Sequence, residues 1–481
     1  MHQMINKILQ HQCYVNGQWI GESIDPVSNP ATGKEIAKIP HLGAHETRQA
    51  IEAASSALQI WKKILPKERS GILRKWFDLQ IEHRDELAHL VTLEQGKPLA
   101  EARAEVTYGA SFVEFYAEEA KRINGDVLPA HRADGRNFVL KQPIGVVGAI
   151  TPWNFPHAMI TRKVAPALAA GCTVVCKPAP DTPLTALALA HLAQQAGFPD
   201  GVFNVITGDA QAIGEELTSN PLVRMIAFTG STAVGKLLMG QCAQTVKRVA
   251  LELGGNAPFI IFDDADMDKA INAVVASKFR NAGQTCVCAN RIFVHDKIYD
   301  EFAQLLSVTV ENFSVGEGLD ANVNIGPLIN TKALEKVEHH VENATQKGAS
   351  ILTGGARHDL SGNFYQPTVL SGVTTDMQLA KEETFGPVAG LFRFSSEDDV
   401  VAEANNTTSG LAAYVCTENI SRIWRMAEDL EYGIVSVNEG VFSNELAPFG
   451  GMKESGLGRE GSHYGIEEFL ELKFVFLGGL S

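Results

Sequence analysis

Few features of this sequence point outside the cytoplasm. Residues 1–13 mix polar and apolar side chains and lack the apolar core of a signal peptide. Glycine, proline and charged residues interrupt every apolar run, so no segment reaches membrane-spanning length. The seven cysteines have neither metal-site nor disulfide-framework spacing. The sequence therefore predicts a cytoplasmic protein with reduced thiols and no bound metal.

Positive charge is also scarce, which limits the partners of the protein. The chain has 41 Lys and Arg against 56 Asp and Glu, a net charge of −15. This balance argues against a nucleic-acid or anionic-membrane partner. An anionic substrate would need arginines placed locally. The 481 residues, 45% of them hydrophobic, are typical of a globular protein with a large core and about three domains.

The hydrophobic pattern predicts an α/β fold. Helical periodicity dominates the N-terminal part, and from Ile144 short apolar strands alternate with helices, which indicates a parallel sheet covered on both faces. A second series of strands and helices begins after Gly254. Ligands bind at the carboxyl ends of strands in such sheets. Three polar residues fall at predicted strand ends: Asn154, Lys177 and Ser231.

Two extended segments lie outside these series. Residues 125–142 contain a turn signal at Asp134-Gly135, and residues 469–480 form an apolar C-terminal stretch. The first is interpreted either as a surface β-ribbon or as an arm that adds to the sheet of a neighbouring subunit. The two segments could pair with each other.

The segment 281–291 places Cys286 after glycine and among small polar residues. A nucleophilic cysteine needs open space, a lowered pKa and backbone N–H groups that stabilise an oxyanion. The alternative is that Cys286 and Cys288 are small buried apolar residues. Their spacing also allows a reversible disulfide, with Cys288 as inert filler being the other interpretation.

Three further positions carry candidate chemistry, each with a simpler alternative. Glu252 lies between two leucines, which raises the pKa of a carboxyl towards that of a useful base, or it is an ordinary strand-edge residue. Asn154 is presented rigidly between prolines and either stabilises an oxyanion or caps a turn. Residues 230–235 open a helix after a strand and either bind a phosphate or form an ordinary turn.

Five motifs occur in the order typical of the aldehyde dehydrogenase superfamily: WNFP at 153–156, FTGS at 228–231, ELGG at 252–255, GQTC at 283–286 and ETFGP at 383–387. The resemblance covers nearly the whole chain from about Tyr14. Residues 279–281, 286–291 and 455–472 are most similar to succinate-semialdehyde dehydrogenases, with glutarate-semialdehyde enzymes close behind.

The resemblance implies two parallel-sheet α/β domains and a small β oligomerisation arm. Residues 1–124 and 144–253 would form the dinucleotide-binding domain, and residues 254–460 the catalytic domain. Residues 125–143 and 461–481 would form the arm of a homo-oligomer, a dimer or a tetramer.

The resemblance also implies roles for individual residues. Cys286 would attack the aldehyde, Asn154 would stabilise the oxyanion, and Glu252 would activate the water that hydrolyses the thioester. Lys177 and Glu383 would hold the two riboses. The remaining cofactor-binding positions are Trp153, Pro180, Gly230, Ser231 and Phe385. A CoA-acylating enzyme and a non-catalytic relative are the alternatives, and both fit the Cys286, Glu252 and Asn154 set less well.

Substrate and cofactor preference rest on a few positions. Arg162, Arg280 and Ser443 match the family's positions for binding an ω-carboxylate, and a structural ion pair is the alternative for Arg280. NAD-preferring relatives often carry glutamate where this chain has Pro180. The sequence therefore predicts that NADP is accepted and preferred over NAD, unless the Asp181 carboxylate performs the role of that glutamate.

Overall fold

Two parallel β-sheets organise the chain, and helices cover their faces. The computed structural model describes residues 5–360 and 362–480. None of its described helices is long and apolar enough to cross a membrane. The helices span Ala44–Trp61, Pro66–Glu82, Arg84–Gln95, Leu99–Glu119, Ala158–Ala170, Leu184–Ala196, Ala210–Ser219, Thr232–Ala243, Met267–Lys278, Tyr299–Glu311, Thr331–Gln346, Gln378–Lys381, Glu397–Asn405, Ile420–Asp429 and Ser462–Glu467.

The N-terminal part is mostly helical, as its periodicity predicts. In the helix Ala44–Trp61, Ile51, Ala54 and Trp61 recur at helical spacing and are fully buried. The helix Arg84–Gln95 ends at Gly96, whose φ of 95° lies in the left-handed region that glycine adopts without strain.

The first sheet has eight strands, and its central strands are parallel. In spatial order the eight strands are Gln18–Ile20, Cys13–Val15, Phe203–Val205, Thr173–Lys177, Val146–Ile150, Val223–Thr229, Arg248–Glu252 and Gly456–Leu457. Ile150 pairs with Lys177 and Thr229 pairs with Glu252, so the carboxyl ends of these strands meet at one edge. This edge brings together the predicted strand-end residues.

The second sheet has seven strands, six of them mutually parallel. In spatial order the seven strands are Ser350–Thr353, Thr368–Ser371, Val388–Phe394, Ala289–His295, Ala257–Ile261, Ala412–Cys416 and Ile434–Val437. Only four residues separate Glu252, which ends a strand of the first sheet, from Ala257, which begins one of the second. The carboxyl edge of the first sheet is thereby joined to the amino edge of the second.

The C-terminal segment returns to the first sheet before it leaves the body of the protein. Gly456–Leu457 pairs antiparallel with Leu251 and Glu252. The short helix Ser462–Glu467 then contacts the helices Leu99–Glu119 and Ala158–Ala170. Two small two-stranded antiparallel sheets complete the fold: the hairpin of Ser23–Ser28 with Glu35–Pro40, and the pairing of Ser409–Gly410 with Met452–Lys453.

The two extended segments form a separate three-stranded antiparallel sheet, in the order Leu470–Leu477, Arg136–Pro143 and Asp126–Leu128. The predicted pairing of the C-terminal stretch with the ribbon is confirmed, from Leu470 opposite Pro143 to Leu477 opposite Arg136. Apolar side chains of this sheet face solvent, with Leu472 68% and Phe474 60% exposed. We call these three strands the arm.

Candidate active site

A strained loop carries Cys286 between the short 3₁₀ turn Arg280–Gly283 and the strand Ala289–His295. Asn281 and Ala282 have φ values of 53° and 54°, a conformation that non-glycine residues rarely adopt. Close packing around the loop holds its backbone in this conformation. A side chain on Gly283 would lie 2.1 Å from the Gly386 carbonyl oxygen.

Gln284 fixes this loop from inside the protein. Its side-chain nitrogen donates to the carbonyl oxygens of Asn281 and Pro327, at 3.1 and 3.3 Å. Its side-chain oxygen accepts from the Ile329 N–H at 2.9 Å. The amide is completely buried, so three bonds without competing water set the position of the two residues before Cys286.

The two cysteines differ in their surroundings. Cys286 is half-buried and lines a cleft, whereas Cys288 is buried and its thiol donates to the Gly283 carbonyl oxygen at 3.2 Å. The Lys278 ammonium lies 3.6 Å from the Cys288 sulfur. Of the two, Cys286 is therefore the thiol that faces the cleft. This placement favours the interpretation of Cys288 as packing over that of a redox partner.

The expectation of a lowered thiol pKa is wrong for this structure. Burial raises the pKa of Cys286 to about 12, and the negative charges of Glu383 and Glu252 add to this effect. Arg162 and Arg280 oppose it more weakly than burial acts. The sequence shows the glycine and small polar neighbours but not the two carboxylates that distant segments bring near.

Asn154 lies beside the cysteine loop. Its side-chain nitrogen donates to the Gln284 carbonyl oxygen at 3.0 Å, and one N–H of the amide remains for another acceptor. The backbone carbonyl oxygen of Asn154 accepts from the side chains of Lys97 and Asn281, at 2.8 and 3.0 Å. Direct hydrogen bonds thus join the predicted oxyanion donor to the loop that carries the predicted nucleophile.

Glu252 is buried at the end of its strand, and one of its carboxylate oxygens has no hydrogen-bond partner among the described residues. Burial, together with the charge of Glu460, raises the pKa of Glu252 well above its ordinary value, as its leucine neighbours predict. Nearby Arg162 and Lys163 lower it, though less strongly than burial raises it. An unpartnered carboxyl with a raised pKa suits proton transfer.

Glu460 belongs to the segment that resembles semialdehyde dehydrogenases, but no role was predicted for it. Its carboxylate forms ion pairs with Lys163 and, at 2.8 Å, with Arg162. Lys163 also donates to the Thr229 hydroxyl at 2.5 Å. These contacts join the C-terminal segment to the helix Ala158–Ala170 directly beside Glu252.

A cleft of about 360 Å³ runs along the carboxyl edge of the first sheet. Six predicted residues line it: Trp153, Asn154, Gly230, Ser231, Glu383 and Phe385. Cys286 lies at the same cleft. The rings of Trp153 and Phe385 meet edge to face, with centroids 5.5 Å apart. These predicted nucleotide-side residues therefore share one surface with the thiol.

Two of the groups that would hold a dinucleotide, Ser231 and Glu383, line this cleft, whereas Lys177 and Pro180 are not part of its lining. Ser231 caps the helix Thr232–Ala243, whose first N–H groups favour a phosphate. Burial raises the pKa of Glu383 to about 7. Lys177 ends its strand and donates to the Pro178 carbonyl oxygen at 3.0 Å. Pro180 is exposed in the following turn.

Sequence reasoning missed several residues that line the cleft, among them Met159, Lys332 and Lys336. Lys336 donates to the Glu383 carbonyl oxygen at 2.5 Å. The two lysines lie four residues apart on the helix Thr331–Gln346, so one helical face carries both. That spacing is visible in the sequence, but the meeting of this helix with the first sheet is not.

The three predicted carboxylate-binding residues have different surroundings. Arg162 is buried, pairs with Glu460 and stacks 4.1 Å from the Phe449 ring centroid. It also donates to the Tyr108 hydroxyl at 3.2 Å, and Ser443 bonds to the same hydroxyl. Arg280 lies 5.6 Å from the Phe155 ring centroid.

The alternative of a structural ion pair fits Arg162 better than Arg280. Within residues 5–360 and 362–480, Arg280 has no carboxylate within ion-pair distance, and its buried Nε has no partner. Its guanidinium is therefore the less engaged of the two.

The chain matches the model of the aldehyde dehydrogenase family over residues 19–475. It is 59% identical over 477 residues to a succinate-semialdehyde dehydrogenase [NADP(+)] of Escherichia coli strain K12, covering 98% of this chain and 99% of that protein. It is 56% identical over 478 residues to a glutarate-semialdehyde dehydrogenase of Pseudomonas aeruginosa, with 98% and 99% covered.

Solved structures agree with this similarity. An Escherichia coli NADP dependent enzyme superposes with a TM-score of 0.97 at 58% identity, covering 98% of this chain and 99% of that one. A Staphylococcus aureus betaine aldehyde dehydrogenase in complex with NAD+ gives 0.97 at 34% identity, with 100% and 98% covered. The fold and the resemblance predicted from the five motifs are confirmed: the chain belongs to the aldehyde dehydrogenase family.

Proposed function

We propose that this protein oxidises succinate semialdehyde to succinate with NADP as hydride acceptor. The observation that carries the proposal is the placement of Cys286 and Asn154 at one cleft, with a poorly solvated Glu252 carboxyl close enough to raise the pKa of the Cys286 thiol. The succinate-semialdehyde dehydrogenase of E. coli, 59% identical, supports the substrate and the cofactor. Glutarate semialdehyde is the second candidate, because a 56% identical relative carries that name.

The residues around the cleft fit a dinucleotide. Trp153 and Phe385 offer flat apolar surfaces, and the capped N-terminus of the helix Thr232–Ala243 offers N–H groups for a phosphate. Lys177 and Glu383 would contact the riboses. The chemistry that NADP supplies when bound is acceptance of the hydride that leaves the aldehyde carbon.

The residues of the chain perform the remaining steps. The Cys286 sulfur bonds to the aldehyde carbon, and the Asn154 amide and the Cys286 backbone N–H stabilise the resulting oxyanion. Loss of hydride leaves a thioester. Glu252 takes a proton from water, whose oxygen attacks the thioester and releases the acid and the free thiol. The balanced reaction consumes aldehyde, water and NADP⁺ and yields acid, NADPH and a proton.

A cationic group is needed for the second carboxylate of the substrate, since the protein is strongly acidic overall. We assign this role to Arg280, whose guanidinium has no carboxylate partner among the described residues. Arg162 is held by Glu460, so its contribution passes through Tyr108 and Ser443. The substrate pocket would then lie between the helix Leu99–Glu119 and the cysteine loop.

Replacing Arg280 tests this assignment. We expect Arg280→Ala to lower kcat/KM for succinate semialdehyde about 10- to 100-fold, because one charge-assisted bond to a carboxylate is lost. Uncharged butyraldehyde should be oxidised at nearly the wild-type rate and serves as the matched substrate. Steady-state NADPH formation measures both. A loss shared equally by the two aldehydes would contradict the assignment, and a wild type more active on glutarate semialdehyde would favour the second candidate.

The assembly and location of the protein are also proposals. We infer a cytoplasmic homo-oligomer, a dimer or a tetramer, in which the exposed arm joins subunits. The seven unbridged cysteines support a reducing compartment. The change of sheet between Glu252 and Ala257 supports a boundary between the dinucleotide-binding and catalytic domains near residue 254.

A further inference from the structure

A buried ion pair outside the cleft has no role in the steps above. Lys97 and Glu105 are 2% and 3% exposed, and their Nζ and Oε2 atoms lie 2.5 Å apart. Neither side chain lines the cleft. Burying two charges costs solvation energy that their attraction often only offsets, so such a pair is weak evidence for stability alone. Its other hydrogen bonds indicate what it does.

Those bonds hold the turn that carries Asn154. Lys97 Nζ donates to the Asn154 carbonyl oxygen at 2.8 Å and lies 3.8 Å from the Phe155 ring centroid. The second oxygen of Glu105 accepts from the backbone N–H groups of His157 and Ala158, at 2.9 and 3.3 Å. The pair therefore holds the turn at Asn154 itself and at the residues that follow it.

The same segment also reaches the cysteine loop. The Glu101 carboxylate accepts from the Asn281 backbone N–H at 2.8 Å, at a residue whose φ of 53° needs support. The Asn281 side chain donates in turn to the Asn154 carbonyl oxygen at 3.0 Å. Residues 97–105 thus connect to both halves of the proposed oxyanion site, the amide donor and the loop of the nucleophile.

We propose that Lys97 and Glu105 are positioning residues that fix the Asn154 amide relative to Cys286. This inference rests on the proposed aldehyde oxidation. The turn lies between Pro152 and Pro156, which cannot donate backbone hydrogen bonds. The charged pair supplies the restraint that the turn lacks. Displacement of a catalytic group by about 1 Å can slow a reaction about 100-fold.

Three variants remove the ion pair between Lys97 and Glu105 without large changes of side-chain volume: Lys97→Met, Glu105→Gln and the double variant. We expect first-turnover NADPH formation to fall about 10- to 100-fold, because the oxyanion loses a correctly placed donor. Alkylation of Cys286 by iodoacetamide forms no oxyanion, so its rate should stay within about twofold of wild type. The double variant removes both charges of the pair together and keeps the test available if the single variants fold poorly.

Glu94→Gln is the matched control. Glu94 is also fully buried and accepts from the first N–H groups of a helix, those of Leu184 and Thr185, at 2.7 and 2.9 Å. It caps a different helix, so we expect a loss of melting temperature comparable with that of Glu105→Gln but an unchanged first turnover.

Each outcome separates the two proposals. Wild-type first-turnover rates in all three variants, or an equal loss of alkylation and turnover, would overturn the positioning role while leaving aldehyde oxidation intact. A wild type that forms no NADPH with any semialdehyde would instead overturn the proposed function.

Discussion

At the scale of the residue, the main departure from expectation is the thiol of Cys286. Its predicted low pKa would need a nearby cation or a water-exposed helix terminus. The structure places the cations Arg162 and Arg280 near this thiol, but burial and the charges of Glu383 and Glu252 outweigh them and raise its pKa to about 12. The resting protein therefore holds Cys286 as a neutral thiol at pH 7, and attack on an aldehyde requires loss of its proton.

This state predicts how the rate of thiol alkylation depends on pH. Because the raised pKa lies far above neutrality, the thiolate fraction should grow about tenfold for each pH unit between pH 7 and 9. Iodoacetamide labelling of the cofactor-free protein, followed by peptide mass spectrometry at Cys286, measures it. Cys288→Ala should behave like wild type because Cys288 is buried, and Cys286→Ala should lose both labelling and oxidation. A rate that levels off near pH 8 would contradict the raised pKa.

Residue roles could be predicted where one short segment carries them. The motifs around Asn154, Glu252 and Cys286 identified candidates that the structure brings to one site. Lys97 and Glu460 were not predicted, because their importance comes from contacts with segments 57 and 297 residues away. Nothing in their neighbours along the chain marks such contacts.

At the scale of the element, the turn after the strand Thr173–Lys177 bears on the choice between NADP and NAD. Pro180 offers no carboxylate to repel a 2′-phosphate, whereas Asp181 is partly buried and its carboxyl bonds to Asn330. Burial raises the pKa of Asp181, and the contacts with Asn330 and Lys177 lower it less strongly. Because Asn330 holds the Asp181 carboxyl, this side chain is a weaker substitute for a glutamate at position 180.

Pro180→Glu should therefore move the preference towards NAD. The new carboxylate would accept from ribose hydroxyls and repel a 2′-phosphate, a difference of about 1–3 kcal/mol or about 5- to 150-fold in the ratio of kcat/KM values. Asp181→Asn is the control, and we expect it to change the ratio by less than about threefold. A wild type that already prefers NAD tenfold would refute the premise, and a larger shift in the control would assign the selectivity to Asp181.

The elements themselves were largely predictable, and their partners were not. The alternation of strands and helices predicted from Ile144 onward is present, with the strands Val146–Ile150, Thr173–Lys177 and Val223–Thr229, since buried parallel strands are short apolar runs. The helix Thr331–Gln346 is amphipathic, but its pattern does not reveal that two of its lysines line the cleft. Periodicity identifies the buried face of a helix, but it does not show which part of the protein lies opposite the other face.

At the scale of the whole molecule, the arm predicts the assembly. The strand Leu470–Leu477 is at the edge of its sheet and exposes Leu472 and Phe474, a face that water would otherwise cover. We expect the double variant Leu472→Asp and Phe474→Asp to dissociate the oligomer into subunits of 52.0 kDa. Sedimentation equilibrium measures the mass.

The neighbouring residue provides a control for this prediction. Lys473 lies between the two apolar residues and is also exposed, so Lys473→Gln should leave the oligomer intact. A wild type that already sediments at 52.0 kDa would show that the arm does not join subunits.

The antiparallel strand Gly456–Leu457 has a consequence for the order in which the protein forms during synthesis. The neighbour of Glu252 in its sheet and the ion pairs of Glu460 with Arg162 and Lys163 come from the last tenth of the chain. A ribosome must therefore translate the whole stretch from Glu252 to Glu460 before the first sheet can close. Until then the nascent chain exposes an unpaired strand edge to water, together with a carboxyl group that the folded protein buries. We therefore expect chaperones to matter most during this interval.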